Sequence, residues 1–275
     1  MIGKVAIVTG SSSGIGLAVA RSFAEHGAHL VLVARRHDRL VALTRQLAHL
    51  DVKVVAIAAD ITQEESRQAI ISQAMRNFGR IDILVNNAGF GYRSPIEATP
   101  LSAIRSNFET NVFSPIALAQ LVIPIMKQQR SGCIVNMSSV AGKIARPLSS
   151  IYDATKHALE AISDGLRGEL KQFGIRVLVI EPGFVQTEFT DIAKTISSEY
   201  YGKYPEYQTL LQVHVRRDER WRRFAADADE VARTIVQAVQ GTDSKVRYVT
   251  PGFARLMLTL KRILPERLFH RLIDV

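Results

Sequence analysis

The sequence predicts an α/β protein built on a doubly wound parallel sheet with helices on both faces. Short apolar runs alternate with longer stretches of helical periodicity along most of the 275 residues. The runs are continuously apolar, which is typical of strands that are covered on both faces. Strands that alternate with helices are joined by right-handed crossovers and lie parallel. Because no linker rich in proline, glycine or serine breaks the series, we predict a single domain over residues 1–275.

The predicted elements follow one another in a regular order. The strands are Val5–Val8, Leu30–Ala34, Lys53–Ala58, Ile83–Asn86, Cys133–Met137, Arg176–Glu181 and Lys245–Val249. The helices are Gly14–His26, Asp38–His49, Gln63–Phe78, Leu101–Phe108, Val112–Gln128, Tyr152–Phe173 and Asp227–Gln240. We therefore expect a Rossmann-like sheet of about seven strands in the order 3-2-1-4-5-6-7.

Composition argues against several classes of protein. The one cysteine, Cys133, excludes an internal disulfide, and its place in an apolar strand predicts a buried, inert thiol. The seven histidines form no HExxH motif or Cys/His cluster, so we expect no metal site. No signal-peptide pattern and no uninterrupted run of ~18 apolar residues is found, so we expect a cytoplasmic protein.

The net charge of +9 raises nucleic acid or an anionic membrane as partners. The excess of positive charge is concentrated in the last quarter of the chain, at Arg216, Arg217, Arg220, Arg222, Arg223, Arg255, Lys261, Arg262, Arg267 and Arg271. We interpret it as a solvated face and expect no nucleic-acid partner.

A tyrosine and a lysine lie four residues apart at the start of a long predicted helix. This spacing places Tyr152 and Lys156 on one face, one turn apart. A free tyrosine has a pKa of about 10, and a nearby ammonium lowers it toward the range that acid–base catalysis needs. A serine from Ser138-Ser139 could hold a carbonyl oxygen while the proton moves. The alternative is an ordinary helix with a surface lysine and a half-buried tyrosine.

The first strand runs into a turn rich in glycine and serine, Thr9–Gly16, which then enters a helix. Glycines allow a tight turn and close approach of the backbone, and a helix N-terminus attracts a pyrophosphate. The spacing G-x-x-x-G-x-G differs from GxGxxG. After the first strand of a parallel α/β protein, it indicates dinucleotide binding.

The second strand ends in Ala34-Arg35-Arg36, where a carboxylate would favour the ribose hydroxyl of NAD. Two guanidiniums can instead grip a 2′-phosphate. We therefore predict NADP(H). In the alternative, both arginines are merely exposed and Asp38 binds the ribose.

Taken together, these motifs resemble those of the short-chain dehydrogenase/reductase family over about residues 3–190. The matching motifs are the glycine turn, Asn86-Asn87-Ala88-Gly89 after the fourth strand, Asn111, Ser139 thirteen residues before Tyr152, Tyr152-x-x-x-Lys156, Pro182-Gly183-Phe184-Val185-Gln186-Thr187 after the sixth strand, and Asp60-Ile61. The resemblance selects Ser139 over Ser138.

The resemblance implies a role for each of these positions. Tyr152 would exchange the proton with the substrate oxygen, Ser139 would hydrogen-bond that oxygen, Lys156 would bind the nicotinamide ribose and lower the pKa of Tyr152, and Asn111 would relay protons. The implied cofactor-binding residues are Gly10, Ser12, Ser13, Gly14, Ile15, Gly16, Arg35, Arg36, Asp60, Ile61, Asn87, Ala88, Gly89, Tyr152, Lys156, Pro182, Gly183, Val185 and Thr187.

Structural roles remain open for four of these positions. Asn86 could cap a strand end, Asn111 could be the N-cap of a helix beginning at Val112, and Thr187 could cap the next helix. Ser138 could be part of a turn.

Residues 188–226 interrupt the α/β rhythm, and the family resemblance makes this segment a substrate lid. Its aromatic residues, candidates for an apolar pocket, are Tyr200, Tyr201, Tyr204, Tyr207 and Trp221. Other pocket candidates are Gly91, Tyr92, Arg93, Ala145, Arg146 and Pro147. The basic amphipathic tail, about 252–273, resembles the branch that acts on steroids and retinoids, and it could pack on the protein or lie on a membrane surface.

The sequence thus predicts an NADP(H)-dependent oxidoreductase that interconverts a carbonyl and an alcohol on a lipophilic small molecule. The resemblance also implies a homodimer or homotetramer. The alternative is a regulatory protein that senses NADPH without turnover.

Overall fold

A seven-stranded, wholly parallel sheet forms the centre of the protein. The computed structural model describes residues 1–189, 204–241 and 245–273. The strand order 3-2-1-4-5-6-7 confirms the prediction. The strands are β1 Val5–Thr9, β2 His29–Ala34, β3 Val54–Ala58, β4 Ile83–Asn86, β5 Gly132–Met137, β6 Ile175–Pro182 and β7 Arg247–Thr250.

Helices cover both faces of this sheet. They are α1 Gly14–Glu25, α2 His37–Leu47, α3 Glu64–Phe78, α4 Leu101–Phe108, α5 Ser114–Gln129, α6 Ser150–Leu170, α7 Gln208–Arg222, α8 Ala228–Gln240, α9 Gly252–Ile263 and α10 Glu266–Ile273. Helices α1, α2 and α8 pack in one apolar cluster, while α3, α5 and α6 pack in a second cluster on the opposite face. Successive side chains of a strand point to opposite faces, so both clusters draw on the same strands.

The predicted strands are buried as their composition requires. Every residue of β1 and β4 is buried, whereas β3 at the edge of the sheet is only partly covered. The lone thiol, Cys133, lies inside the sheet, and burial raises its pKa to about 11. This agrees with an inert thiol, since the neutral form is not the nucleophile.

The connection between α4 and α5 differs from the sequence prediction. Residues Glu109–Phe113 form a π-helical turn that joins the two helices into one run, Leu101–Gln129. Asn111 lies inside this turn, so the alternative that it caps a new helix is wrong. Single π-turns often occur at functional sites because they redirect individual side chains.

The run Leu101–Gln129 is also long and apolar enough to cross a membrane by length and composition alone. In the described structure it covers the sheet, with Leu118, Val122 and Met126 fully buried in the second apolar cluster. A core helix passes the same test, so this run is weak evidence for a membrane span.

The C-terminal tail forms two helices, α9 and α10, on either side of Pro265. Phe269 of α10 is fully buried and packs with Ile144. The tail is therefore anchored on the protein beside the turn that follows β5.

Candidate active site

A cavity of about 590 Å³ lies at the carboxyl ends of the strands. Ligands bind at this edge in open α/β sheets, beside the point where the strand order reverses. Its walls come from the segments that follow β1 to β6, and we call this cavity the cleft. Almost all of the predicted site residues lie in it.

The glycine turn forms one end of the cleft and is shaped by close backbone contacts. Gly10 and Gly14 have φ angles of +68° and +53°, which side chains rarely adopt. A Cβ on Gly10 would lie 2.8 Å from the Asn87 side chain, and one on Gly14 would lie 3.0 Å from Thr187. The turn therefore leaves backbone space at the N-terminus of α1, as a bound pyrophosphate requires.

Gly16 has a different function from the other two glycines. It does not line the cleft, because it packs α1 against the turn: a Cβ there would lie 2.3 Å from the Gly10 carbonyl oxygen. The close packing of helix on turn explains the third glycine of the motif.

Hydrogen bonds hold the segment after β4 against the end of β1. The Thr9 hydroxyl accepts from the amides of Asn87 and Ala88, each at 3.0 Å, and donates to the Val85 carbonyl. The Asn87 side chain donates to the Thr9 carbonyl at 2.9 Å. These bonds fix the floor of the cleft.

Arg36 reaches from the start of α2 to the glycine turn. Its Nη2 donates to Ser12 Oγ at 3.1 Å and to Ser13 Oγ at 2.7 Å. The Asp38 side chain, by contrast, is fully exposed and outside the cleft. Arg35 and Arg36 thus line the cleft, and Asp38 does not.

Two residues that the sequence did not point to, Arg39 and Glu188, lie beside Arg36. The Glu188 carboxylate accepts from Arg36 at 3.0 Å and from Arg39 at 2.7 and 2.9 Å. Hydrogen bonds from Arg39 and Arg36 hold the pKa of Glu188 below its usual value. The two guanidiniums thus already bind one anionic group. The i, i+3 spacing of Arg36 and Arg39 was the available signal.

Tyr152, Ser139 and Lys156 lie together at the other end of the cleft. The Lys156 ammonium donates to the Met137 carbonyl at 2.8 Å and lies 5.7 Å from the centre of the Tyr152 ring. The Ser139 hydroxyl donates to the Pro182 carbonyl and accepts from the Ala141 amide.

The electrostatics of this group correct one expectation. The pKa of Tyr152 is raised to about 12, chiefly because burial disfavours the phenolate; Arg146 lowers it, Asp153 raises it, and Ser139 and Arg93 lower it. The Tyr152 pKa in the described structure is therefore raised, where the sequence led us to expect a lowered one. Burial lowers the pKa of Lys156 itself to about 8, although Glu160 raises it.

Asn111 lies behind the wall of the cleft rather than in it. Its amide accepts from the Phe90 amide and donates to the Phe90 carbonyl and to Thr155 Oγ1, at 3.0 to 3.1 Å. A Cβ on Gly89 would lie 2.9 Å from the Asn111 side chain and 3.8 Å from Lys156 Nζ. The residue therefore positions the segment after β4.

The other predicted cofactor residues do line the cleft: Gly10, Ser12, Ser13, Gly14, Ile15, Arg35, Arg36, Asp60, Ile61, Asn87, Ala88, Gly89, Tyr152, Lys156, Pro182, Gly183, Val185 and Thr187. Ser138 also lines it, with a buried hydroxyl that has no partner among the described residues. This set, with its glycine cradle and paired arginines, fits a dinucleotide.

Some of the residues predicted to line the substrate pocket lie in the cleft. Gly91, Tyr92, Arg93 and Arg146 line the cleft, while Ala145 and Pro147 do not. Phe189 contributes a ring 5.6 Å from that of Tyr152. Of the predicted lid aromatics, Tyr200 and Tyr201 lie outside the described residues. The Tyr207 hydroxyl donates to Glu97 at 2.5 Å, and neither residue lines the cleft.

No group of three or more potential metal ligands occurs among the described residues. This leaves the dinucleotide cleft as the candidate site.

Comparisons with known proteins agree with this site. The short chain dehydrogenase family pattern matches residues 4–197. A Xenopus laevis relative, dehydrogenase/reductase SDR family member 7B, is 37% identical over 204 residues, which are 72% of this chain and 63% of that protein. The chain thus spans less than two thirds of that relative's length.

Solved structures are similar along almost the whole chain. L-Sorbose reductase from Gluconobacter frateurii, complexed with NADPH and L-sorbose, is 33% identical with a TM-score of 0.78, and 92% of this chain and 96% of that one are covered. A Burkholderia phymatum short-chain dehydrogenase/reductase in complex with NAD is 26% identical with a TM-score of 0.81, covering 95% of each chain. The fold, the cleft and these relatives together place the chain in the short-chain dehydrogenase/reductase family of oxidoreductases.

Proposed function

We propose that this oxidoreductase uses NADP(H) to interconvert a carbonyl and an alcohol on a lipophilic small molecule. The observation that carries the proposal is the grouping of Tyr152, Ser139 and Lys156 in one cleft with the glycine turn. A partly buried tyrosine, a serine hydroxyl and a lysine beside a dinucleotide site form a set suited to moving one proton at a carbonyl oxygen.

Each side chain has a distinct role in the proposed reaction. A bound nicotinamide supplies or removes the hydride. The Ser139 hydroxyl, which donates to the Pro182 carbonyl in the chain alone, turns its proton to the substrate oxygen and orients that oxygen. The Tyr152 hydroxyl donates its proton to that oxygen in reduction and recovers it in oxidation. With a pKa raised to about 12, Tyr152 keeps its proton at neutral pH, which suits the reductive direction in the chain alone.

The remaining residues hold the reactants. Lys156, Val185 and Thr187 contact the nicotinamide end, and Asp60 and Ile61 lie at the adenine end. Asn111 positions the Phe90 segment, and through it the floor beside Lys156. We propose that Asn111 also helps to relay the proton onward through water.

The preference for NADP(H) is supported by Arg36, whose guanidinium contacts Ser12 and Ser13 of the glycine turn. A guanidinium matches the oxygen geometry of a phosphate, and its charge-assisted hydrogen bonds are strong. The Gluconobacter relative contains NADPH and the Burkholderia one contains NAD. The preference therefore depends on the arginines of this chain.

The test is a panel of ketones and aldehydes, aromatic and aliphatic, offered with NADPH and with NADH while the absorbance of the reduced nicotinamide is followed. We expect consumption of NADPH with formation of the alcohol, and a lower rate with NADH. Tight binding of NADPH without turnover of any carbonyl would instead favour the second candidate, a regulatory protein that senses NADPH.

We further propose a cytoplasmic homodimer or homotetramer built from one domain, with a lid over residues 188–226. Contact with a membrane surface through the tail is the second candidate for its location, and the exposed leucines of α9 and α10 support it.

A further inference from the structure

A second, smaller cavity lies beside the cleft, between the turn after β5, the end of α7 and the start of α9. Its volume is about 70 Å³. The residues that line it are Val140, Ala141, Ile144, Arg146, Gly183, Phe184, Trp221, Phe224, Pro251, Phe253, Ala254 and Met257. We call this cavity the aromatic annex.

The walls of the annex are apolar and rigidly stacked. The Phe253 ring lies 4.9 Å from Trp221 and 4.6 Å from Phe224, and the two phenylalanine rings are nearly parallel. Ring pairs at these separations stabilise one another beyond their buried area. The annex is therefore a preformed surface for an apolar group.

Arg146 is the one charged residue in this wall, and its charge is compensated. Its guanidinium donates to both carboxylate oxygens of Asp153, at 2.6 and 3.2 Å. Asp153 is fully buried. An anionic group entering the annex would have to compete with this ion pair, so the occupant that fits is uncharged.

The annex and the cleft share part of their walls. Val140, Arg146, Gly183 and Phe184 line both cavities. A Cβ on Gly183 would lie 3.0 Å from the Ala254 methyl group, so α9 packs directly against the strand end that also borders the cleft. The annex thus adjoins the cleft at these shared residues.

We propose that the aromatic annex binds the apolar, uncharged arm of the substrate. This inference rests on the proposed function, because it concerns the other end of the molecule whose carbonyl meets Tyr152. A cavity of about 70 Å³ has room for a short aliphatic group. The substrate class is thus a ketone or aldehyde with an aliphatic arm that ends in the annex.

The kinetic test uses straight-chain methyl ketones from butanone to nonanone with NADPH. Each methylene that enters the annex should raise kcat/KM about fourfold, until the annex is full and the values level off. Phe224→Ala enlarges the annex and should move the levelling-off to longer chains. Ala254→Leu fills it and should move the levelling-off to shorter chains.

Phe173→Ala is the matched control. Phe173 lies next to the amino end of β6, whereas the annex lies beside the carboxyl ends of the strands. It should leave the chain-length profile where the wild type has it. Since Phe224 is half exposed, Phe224→Ala also remains informative if Ala254→Leu does not fold.

Binding can be measured without turnover, because Trp221 is the only tryptophan in the chain. Longer ketones added without cofactor should change its fluorescence, and Ala254→Leu should reduce that change. Turnover with an unchanged chain-length profile in Phe224→Ala, or without a fluorescence response, would overturn the inference and leave the proposed function intact. No turnover of any ketone, despite a fluorescence response, would contradict the proposed function and with it the assignment of the ligand as substrate.

Discussion

At the scale of single residues, the adenosine end of the cleft combines two arginines with a competing carboxylate. Glu188 accepts hydrogen bonds from Arg36, which we propose binds the 2′-phosphate, and from Arg39. A 2′-phosphate can bind these arginines only if it displaces the Glu188 carboxylate. Cofactor preference should therefore respond to both the arginines and Glu188.

We expect Arg36→Gln to weaken NADPH binding about 10- to 100-fold, the effect of losing a charge-assisted hydrogen bond, and to leave NADH binding nearly unchanged. Glu188→Gln should act in the opposite direction and strengthen NADPH binding, because the arginines lose their anionic competitor. Titration calorimetry with both cofactors measures these effects. If either variant changes NADPH and NADH binding equally, Arg36 and Glu188 do not form the 2′-phosphate site.

At the scale of elements, the end of β6 and the middle of α6 meet in a cluster of charges with buried carboxylates. Glu160 and Glu181 both face Lys143, at 2.7 and 3.8 Å, and Arg247, at 3.0 and 3.4 Å. Burial, and then the negative charge of Glu160, raises the pKa of Glu181 from 4.5 to about 7. Glu160 also lies one helical turn beyond Lys156, so the cluster adjoins Lys156.

This pKa makes the stability of the fold depend on pH in a definite direction. A carboxyl with a raised pKa binds its proton more tightly when folded, so its contribution is greatest below about pH 4.5 and is lost as pH rises toward 7. Glu181→Gln should flatten this fall in the free energy of unfolding, measured in denaturant at several pH values. Glu169→Gln, at an exposed position of α6, should keep the wild-type slope; an unchanged slope in Glu181→Gln would refute this account.

The elements also show what could be predicted from the sequence. The strands, their order and the glycine turn follow from continuous apolar runs and glycine spacing, which are local signals. The π-turn at Asn111 could not be predicted, because the separate helical patterns on either side gave no sign that the backbone continues between them. The same limit applies to the pKa of Tyr152: the spacing to Lys156 was evident, but burial depends on the whole fold.

At the scale of the whole molecule, the tail presents an amphipathic surface. Phe269 anchors it to Ile144, while Leu256, Ile263, Leu268 and Leu272 remain exposed. Basic side chains of the same two helices are Arg255, Lys261, Arg262, Arg267 and Arg271. Exposed leucines among basic residues match the surface of an anionic membrane.

We expect the full chain to sediment with vesicles of anionic lipid and less with neutral ones. The double substitution Ile263→Gln and Leu268→Gln should reduce this binding several-fold, whereas Leu101→Gln, an exposed leucine on α4, should not. We use substitutions rather than removal of the tail after Thr250, because Ala254 of the tail packs against Gly183 at the cleft. If the wild type and both variants sediment equally, or if none of them sediments with the vesicles, the tail only packs on the protein.

The central claim is that the hydroxyl of Tyr152 supplies the proton at the substrate oxygen. Tyr152→Phe removes that hydroxyl and keeps the ring that packs against Phe189. The direct measurement is NADPH binding together with single-turnover reduction of an accepted ketone. We predict unchanged binding and a rate lower by about two to four orders of magnitude, as loss of a general acid causes. A variant that reduces the ketone within tenfold of the wild-type rate would contradict the account.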